Sequence, residues 1–394
     1  MRIVLAYSGG LDTSVAVHWL KETYKADVIA YCANLGQVED LSSAAYRATS
    51  AGAVDVIVEN LQDDFLQRFA MPALAAGAAY EGKYLLAAPL SRPLIAERLV
   101  AVARASDADT VAHGATGKGN DQVRFYTSLR ALDPKLSVLA PVIEWELTTR
   151  GSEMTYAQKH GIDVGVSKTT PYSIDTNIWG TSVECGELDK IGTPVPSAAW
   201  QITTAPENAP ERATRVSVQF EEGIPIALDD EPMSLKDLVN TLTGLASVHG
   251  IGRTEILESR IVGFKSRGIY ESPAATVLYA ARADLESLVF DRETLHHKRS
   301  LAERYAELVY YGYWFSDLRS ALDAYNRHLS HRVTGTVVVE LYKGTVRCLT
   351  RESERFSRYD PALADYEESD TFHHAAGAGF AYCWSLPLLS QGGQ

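Results

Sequence analysis

Apolar and polar positions follow two alternating periods through residues 1–165. Short apolar runs of strand type stand at 3–6, 28–33, 54–58, 110–113 and 137–142. Apolar residues recur at helical spacing over 13–23, 41–51, 92–104, 121–132 and 152–159. Strands separated by helices predict a parallel sheet with helices on both faces, an α/β doubly wound domain. Ligands of such sheets bind beyond the carboxyl ends of the strands. The informative residues are therefore those after each strand, at 8–14, 33–37 and 114–121.

The texture changes near Thr169-Thr170-Pro171, and prolines follow at 194, 196, 206 and 210. Apolar runs at 216–220 and 224–228 flank Glu221-Glu222-Gly223 and predict a hairpin; runs at 337–341 and 345–349 around Lys343-Gly344 predict another. Helices are expected at 234–248 and 272–288, with a long amphipathic helix from about 297 to 327 interrupted near Gly312. The stripe Leu301, Tyr305, Leu308, Leu318, Leu322 and Tyr325 reads as one face packed in a core or subunit interface. The expected division is a nucleotide-binding domain at 1–168, an α+β substrate-binding domain at 169–360 and a C-terminal helical tail at 361–394. The aromatics Tyr310, Tyr311, Tyr313, Trp314, Phe315, Phe380, Tyr382 and Trp384 mark packing or an interface, and the long helix and tail are expected to hold an oligomer.

The first loop carries the chemistry. Ala6-Tyr7-Ser8-Gly9-Gly10-Leu11-Asp12-Thr13-Ser14 joins a strand to a helix through a turn of small residues. The first N–H groups of a helix have no internal partner and the helix dipole favours negative charge there, so the junction suits an anion. Ser8, Thr13 and Ser14 add hydroxyl donors. No lysine lies between Ser8 and Ser14, which excludes the Walker pattern, and G-x-G-x-x-G is absent as well. The loop resembles the pyrophosphate loop of the N-type ATP pyrophosphatases, which cleave ATP between its α and β phosphates. Asp12 is open to two readings, a phosphate–metal role or a cap of the turn, and a nearby triphosphate favours the first.

A second loop follows the strand at 110–113: Gly114-Ala115-Thr116-Gly117-Lys118-Gly119-Asn120-Asp121-Gln122-Val123-Arg124-Phe125. Its glycines, with Asn and Asp, describe a loop that wraps a polar ligand and opens a helix. It lacks a Ser or Thr after Lys118, so it is not a Walker loop. Arg124 could grip a carboxylate with two prongs; a solvated surface arginine is the alternative. The two loops together resemble the argininosuccinate synthase family. So do Pro171-Tyr172-Ser173-Ile174-Asp175, Trp179-Gly180-Thr181-Ser182, Leu257-Glu258-Ser259-Arg260-Ile261-Val262-Gly263 and Lys265-Ser266-Arg267-Gly268-Ile269-Tyr270-Glu271, which spread the resemblance over most of the chain.

The resemblance implies condensation of citrulline with aspartate at the expense of ATP, with magnesium, in a homotetramer. It implies that residues 6–14, Ala33 and Gly114 hold ATP. It assigns Thr116, Asn120 and Asp121 to aspartate, and Tyr84, Asn120, Arg124, Ser173, Ser182, Glu258 and Tyr270 to citrulline. Asp12, Asp121 and Arg124 form the expected catalytic set, and the ligands of the metal stay unassigned. The chemistry agrees: Arg124 suits the citrulline carboxylate, Glu258 an ammonium or ureido N–H, and the hydroxyls the remainder. One departure stands at Tyr84-Leu85-Leu86-Ala87-Ala88-Pro89, where the family usually reads Tyr-Pro-Leu-Gly-Thr and a small polar residue. Pro89 has no N–H to offer a ligand.

The net charge of −13 argues against a nucleic-acid partner, which needs a basic face. No run of about 18 apolar residues predicts a membrane span and no signal segment is expected. Cys32, Cys185, Cys348 and Cys383 are widely spaced, suit a reducing cytosol and carry no zinc pattern. His296-His297, His328, His331 and His373-His374 lack partners to complete a metal set. The rivals are a tRNA-modifying adenylase, which wants a basic surface, an amidotransferase-linked synthetase, which wants a glutaminase domain, and a nucleotide sensor. The polar second loop speaks against the sensor.

Overall fold

The computed structural model describes residues 1–37, 40–164, 171–367 and 370–389. The first part of the chain runs β1 (Arg2–Ala6), α1 (Leu11–Tyr24), β2 (Asp27–Asn34), α2 (Leu41–Ser50), β3 (Asp55–Asn60), α3 (Gln62–Phe65), a π-helical turn (Leu66–Ala70), α4 (Met71–Ala76), α5 (Ala87–Ala105), β4 (Thr110–His113), α6 (Asn120–Leu132), β5 (Ser137–Leu139), α7 (Pro141–Glu144) and α8 (Arg150–His160). The five strands form one parallel sheet in the order β3-β2-β1-β4-β5. Ile3 and Leu5 pack with Val15 and Ala16 of α1 on one face, while Val4 packs with Leu99 of α5 and Phe125 of α6 on the other. All three strand residues are fully buried. Each such side chain contributes about 1.5–3 kcal/mol of burial free energy, which is why the run is apolar throughout rather than alternating.

Two expectations need correction here. The strand expected over 137–142 stops at Leu139, because Pro141 opens α7, where its missing N–H costs nothing. The helix expected from Arg92 begins five residues earlier, at Ala87. The boundary expected at 168/169 lies outside the described residues.

The rest of the chain runs β6 (Ser173–Asn177), β7 (Gly180–Glu184), β8 (Thr214–Glu221), β9 (Ile224–Leu228), β10 (Glu231–Pro232), α9 (Leu235–Val248), β11 (Arg253–Ser259), β12 (Lys265–Glu271), α10 (Pro273–Val289), α11 (Arg292–Tyr310), α12 (Asp317–Ser330), β13 (Gly335–Tyr342), β14 (Thr345–Glu352), α13 (Pro361–Ala364) and α14 (His374–Leu389). Strands β10-β9-β8-β13-β14 make an antiparallel sheet that contains both expected hairpins, and β11-β12-β7-β6 make a second one. The interruption expected near Gly312 in the long helix over 297–327 is a full break between α11 and α12, and the first of them starts earlier, at Arg292. Gly312, at φ +81°, ends the first beside α6, where a Cβ would stand 2.7 Å from Thr127 Oγ1. Tyr310 and Trp314, expected in packing or at an interface, are buried within the chain, stacked on Tyr80 and Phe69. Of the expected helix stripe, Tyr305, Leu308 and Leu322 are buried and Leu318 is exposed.

Candidate active site

In the first sheet β1 lies between β2 and β4, and the loops leaving β1 and β4 stand side by side at the switch of strand order. They meet closely: a Cβ on Gly114 would stand 2.8 Å from Thr13 Cγ2. Helix α1 opens at Leu11, two residues before the expected start. Its N-cap is Gly10, and no side chain among the described residues caps it. The first N–H groups are therefore left for an anion. Gly9 is buried at φ +80°, and its carbonyl accepts from Arg47 Nε at 3.1 Å. Ser8 Oγ and Thr13 Oγ1 stand 3.1 Å apart at the mouth. Ser14, expected as a further hydroxyl donor, is instead fully buried and hydrogen-bonded to Tyr7 Oη at 2.8 Å, so its side chain braces the loop from behind. Ala6 and Ala33 are half-buried at the carboxyl ends of β1 and β2, and Leu11 is buried.

Glu153 of α8, a residue no motif singled out, lies close enough to Asp12 for the two carboxyls to act on one another. Burial, and then the neighbouring Asp12 carboxylate, push the Glu153 carboxyl well above its usual range.

The loop after β4 leads into α6, whose first turns carry Asn120, Asp121 and Arg124. Arg124 is buried. Its Nε donates to the Tyr310 carbonyl at 2.8 Å, its Nη1 to Asp121 Oδ1 at 2.8 Å, and its guanidinium lies 4.7 Å from the Tyr310 ring centroid. Nη2 is buried with no partner among the described residues. The expected two-pronged grip is thus reduced to one free nitrogen, because the protein itself occupies the others. Asn120 Nδ2 donates to Tyr310 Oη at 2.7 Å, and its Oδ1 accepts from the Ile261 N–H at 3.0 Å. Asp121 also accepts from Arg92 Nη2 at 2.8 Å, and the same nitrogen donates to Asp175 of β6. Burial alone would raise the Asp121 carboxyl; the Arg92 and Arg124 charges outweigh it and hold the group well below the usual carboxylate range. Thr116 is exposed on the loop.

The facing wall is the sheet β11-β12-β7-β6. In its register Asp175 stands opposite Ser182, Ser182 opposite Tyr270, Ser173 opposite Glu184, and Glu258 opposite Ser266. Side chains two residues apart share a face, so these residues all face one way, while Val183 and Ile269 face a small apolar cluster behind. Tyr270 Oη donates to Glu258 Oε2 at 2.9 Å. The rings of Tyr84 and Tyr270 stack at 3.7 Å, and Tyr84 Oη lies 3.3 Å from Ser182 Oγ. Burial, then the charge of Glu184, raise the Glu258 carboxyl. Arg92 joins Asp121 of α6 to Asp175 of β6, and Asn120 of α6 takes the Ile261 N–H just past β11, so the α6 cluster and the sheet cluster form one site. Ser173 is exposed at its rim. At the departure from the family pattern, Pro89 is buried in the first turn of α5, and Tyr84 Oη accepts the Ala88 N–H at 3.2 Å.

The structure thus brings Asn120, Asp121, Arg124, Tyr84, Ser182, Glu258 and Tyr270 together, and adds Arg92, Asp175, Glu153, Glu184 and Tyr310, to which the sequence assigned no site role. Arg92 lay in a segment read as an ordinary helix start. Tyr310 lay in one read as packing or an interface.

The model described as "Arginosuccinate synthase N-terminal HUP domain" matches residues 2–163, and that described as "Arginosuccinate synthase C-terminal domain" matches 172–390. The chain is 73% identical over 388 residues to the argininosuccinate synthase of Rhodococcoides fascians, covering 98% of both chains. It is 49% identical to that of Aquifex aeolicus (strain VF5) and 47% to that of Chlorobium phaeobacteroides (strain BS1), covering 98% of this chain and 96% of each relative. With both loops, the facing sheet and the full length in agreement, the chain belongs to the argininosuccinate synthase family.

Proposed function

We propose that the chain carries out the reaction of its family: L-citrulline and L-aspartate condense with ATP to argininosuccinate, AMP and pyrophosphate, through citrullyl-AMP. One observation carries this reading. The uncapped N-terminus of α1 stands at the sheet's switch point beside a second loop, and that loop leads straight to the buried Arg124 and the sheet face with Glu258.

The free N–H groups at the start of α1, with Ser8 and Thr13, hold the β and γ phosphates as a leaving pyrophosphate. Arg124 Nη2 takes the citrulline carboxylate. Glu258 takes its ammonium or ureido N–H, with the hydroxyls of Tyr84, Ser173, Ser182 and Tyr270 and the amide of Asn120 around it. The ureido oxygen attacks the α-phosphorus and the bond to the β-phosphate oxygen breaks. The aspartate amine, held by Asp121, Asn120 and Thr116, then attacks the ureido carbon; the carbon–oxygen bond breaks, AMP leaves and the amine loses a proton. No protein nucleophile is needed, so catalysis is positioning and charge neutralisation.

Magnesium fits the donor set at the loop. Among the described residues no group of three or more His, Cys, Asp or Glu forms a metal cage, but magnesium is ordinarily held by one or two carboxylates with substrate phosphates. Asp12 and Glu153 would hold it. Bound there, it would neutralise charge on the phosphates.

We also infer a homotetramer, supported by α14, whose Phe380, Tyr382, Trp384, Leu388 and Leu389 are all exposed. A reducing cytoplasm is supported by four free cysteines. Among the described residues no helix is long and apolar enough to cross a membrane.

The test is isotopic. Citrulline carrying heavy oxygen in its ureido group should pass the label to AMP when ATP and aspartate are present. Formation of ADP, or label absent from AMP, would overturn the reading.

A further inference from the structure

The residues assigned to aspartate leave its charges unmatched. The substrate brings two carboxylates and one ammonium. Thr116, Asn120 and Asp121 offer a hydroxyl, an amide and a carboxylate. Asp121 matches the ammonium, but none of the three is a cation, and a carboxylate taken out of water needs one or a full set of hydrogen bonds. Arg124 is already committed to the other amino acid.

A guanidinium stands beside Asp121. Arg92 Nη2 donates to Asp121 Oδ2 at 2.8 Å and to Asp175 Oδ2, and Nη1 donates to Ser91 Oγ at 2.9 Å. Its Nε is buried with no partner among the described residues. A buried unpaired donor is costly, and its presence in a charged cluster needs a reason. The Nε and Nη2 edge of an arginine is the side that takes a carboxylate with two parallel bonds. Here that edge is half used. Asp175 holds Nη2 alone, from an outer strand of its sheet, with 38% of its side chain exposed. Asp121 is held by a second arginine as well. Of the two carboxylates on Arg92, Asp175 is the one free to move away.

We infer that Arg92 is the cation that binds a carboxylate of the aspartate substrate, and that Asp175 holds that position until the substrate's carboxylate displaces it. The inference deepens the proposed reading and rests on it.

Steady-state kinetics of the full chain test it. Arg92→Lys keeps the charge but loses the paired edge, so the KM for aspartate should rise about tenfold or more, with KM for citrulline and ATP moving less than about threefold. Asp175→Asn, at a half-exposed strand position that tolerates exchange, should lower the aspartate KM about two- to tenfold by weakening the competitor. A merely structural tie between the strand and α5 would instead leave that KM unchanged or raise it. Lys118→Ala removes the exposed cation of the loop that carries Thr116 and should leave the aspartate KM within about twofold. The inference falls if Asp175→Asn raises or does not change the aspartate KM, if Arg92→Lys shifts all three KM values together, or if the rise follows Lys118→Ala. If the unmodified protein makes no AMP from ATP, citrulline and aspartate, the proposed function falls instead.

Discussion

Arg124 donates from Nε to the backbone carbonyl of Tyr310 at 2.8 Å while its guanidinium lies over the ring of the same residue. A helix of the nucleotide-binding sheet is thereby fixed to the end of α11, on the far side of the chain sequence. The contact orients the one nitrogen of Arg124 left for a substrate. Arg124→Lys retains the charge but loses the Nε bond, the planar stacking and the free Nη2. The cost should be about 1–3 kcal/mol, or roughly 5- to 150-fold in the citrulline KM, with the ATP KM little changed. Equal effects on both substrates would remove Arg124 from the citrulline site.

Gly9→Ala should impair nucleotide binding. Gly9 has φ +80°, and a Cβ would stand 2.8 Å from Ala44 Cβ and 2.9 Å from Arg47 Nη2. The clash with α2 is one that a packed helix cannot easily relieve, and Arg47 also holds the Gly9 carbonyl. Calorimetric titration with a non-hydrolysable ATP analogue should show affinity down about tenfold or more. Unchanged affinity would mean that the loop bends without cost.

The parallel sheet was legible because its inner strands β1, β2 and β4 are buried on both faces and read as nearly unbroken apolar runs. The facing sheet was not, because the face it turns toward the site is polar. Ser173, Asp175, Ser182, Glu184, Glu258 and Ser266 interrupt any alternation on that face, while Arg267, on the other, is taken up by Glu255 and by the carbonyls of Lys190 and Thr193. Such strands are held by pairing with neighbours far along the chain, which no local period records. The α1 loop was legible because glycine and hydroxyl residues at a strand–helix junction have few other uses. Tyr310 stayed open between packing and an interface because an aromatic inside a helix looks the same whether it faces a partner subunit or its own Tyr80.

A buried ion cluster away from the site offers a test of stability alone. Glu286 accepts from Arg282 Nε at 2.9 Å and from Lys298 Nζ at 3.0 Å, and all three side chains are almost wholly buried. Arg282 also donates to Ser330 and to the Gly223 carbonyl, so it is tied to α12 and the β8–β9 turn. Glu286→Gln leaves two buried cations without a counter-charge, which should cost about 3–5 kcal/mol in urea unfolding with KM values unmoved. A loss below about 1 kcal/mol would show that the cluster relaxes or takes up water.

Truncation after Tyr366 should dissolve the assembly. It removes α14, whose Phe380, Tyr382 and Trp384 are each more than half exposed on the single chain. Light scattering should report a tetramer for the full chain and a smaller species for the truncation. A tetramer in both would assign assembly to another surface, and a monomeric full chain would remove the assembly.

The last prediction concerns acid sensitivity and follows from His113, at the end of β4 just before the second loop. The ring is fully buried and stacks on Phe125 at 5.4 Å. Its Nδ1 accepts the Ala115 N–H at 3.2 Å, so the proton of the neutral ring sits on Nε2. Burial lowers its pKa from 6.5 to about 4, against a smaller opposing pull from Asp121. In the unfolded chain the ring protonates near 6.5; in the folded chain it stays neutral. Between about pH 4 and 6.5 the unfolded state therefore binds more protons at this ring, and its contribution to stability must rise with pH through that window. The contribution is complete above 6.5 and lost as pH falls toward 4, about 3 kcal/mol at most. Protonating Nδ1 would also break the Ala115 bond that shapes the loop at Gly114. His113→Asn can keep an acceptor near the Nδ1 position without a titrating ring. The change in urea midpoint from pH 5 to pH 7.5 should be less positive in this variant than in the unmodified chain; the raised Glu153 carboxyl, whose contribution falls as pH rises, is common to both and cancels in the comparison. An identical pH slope in both would place the acid-sensitive group elsewhere. Loss of the Asp121 ion pairs cannot imitate the effect, because that carboxyl is held below the usual range and its stabilisation fades only under about pH 4.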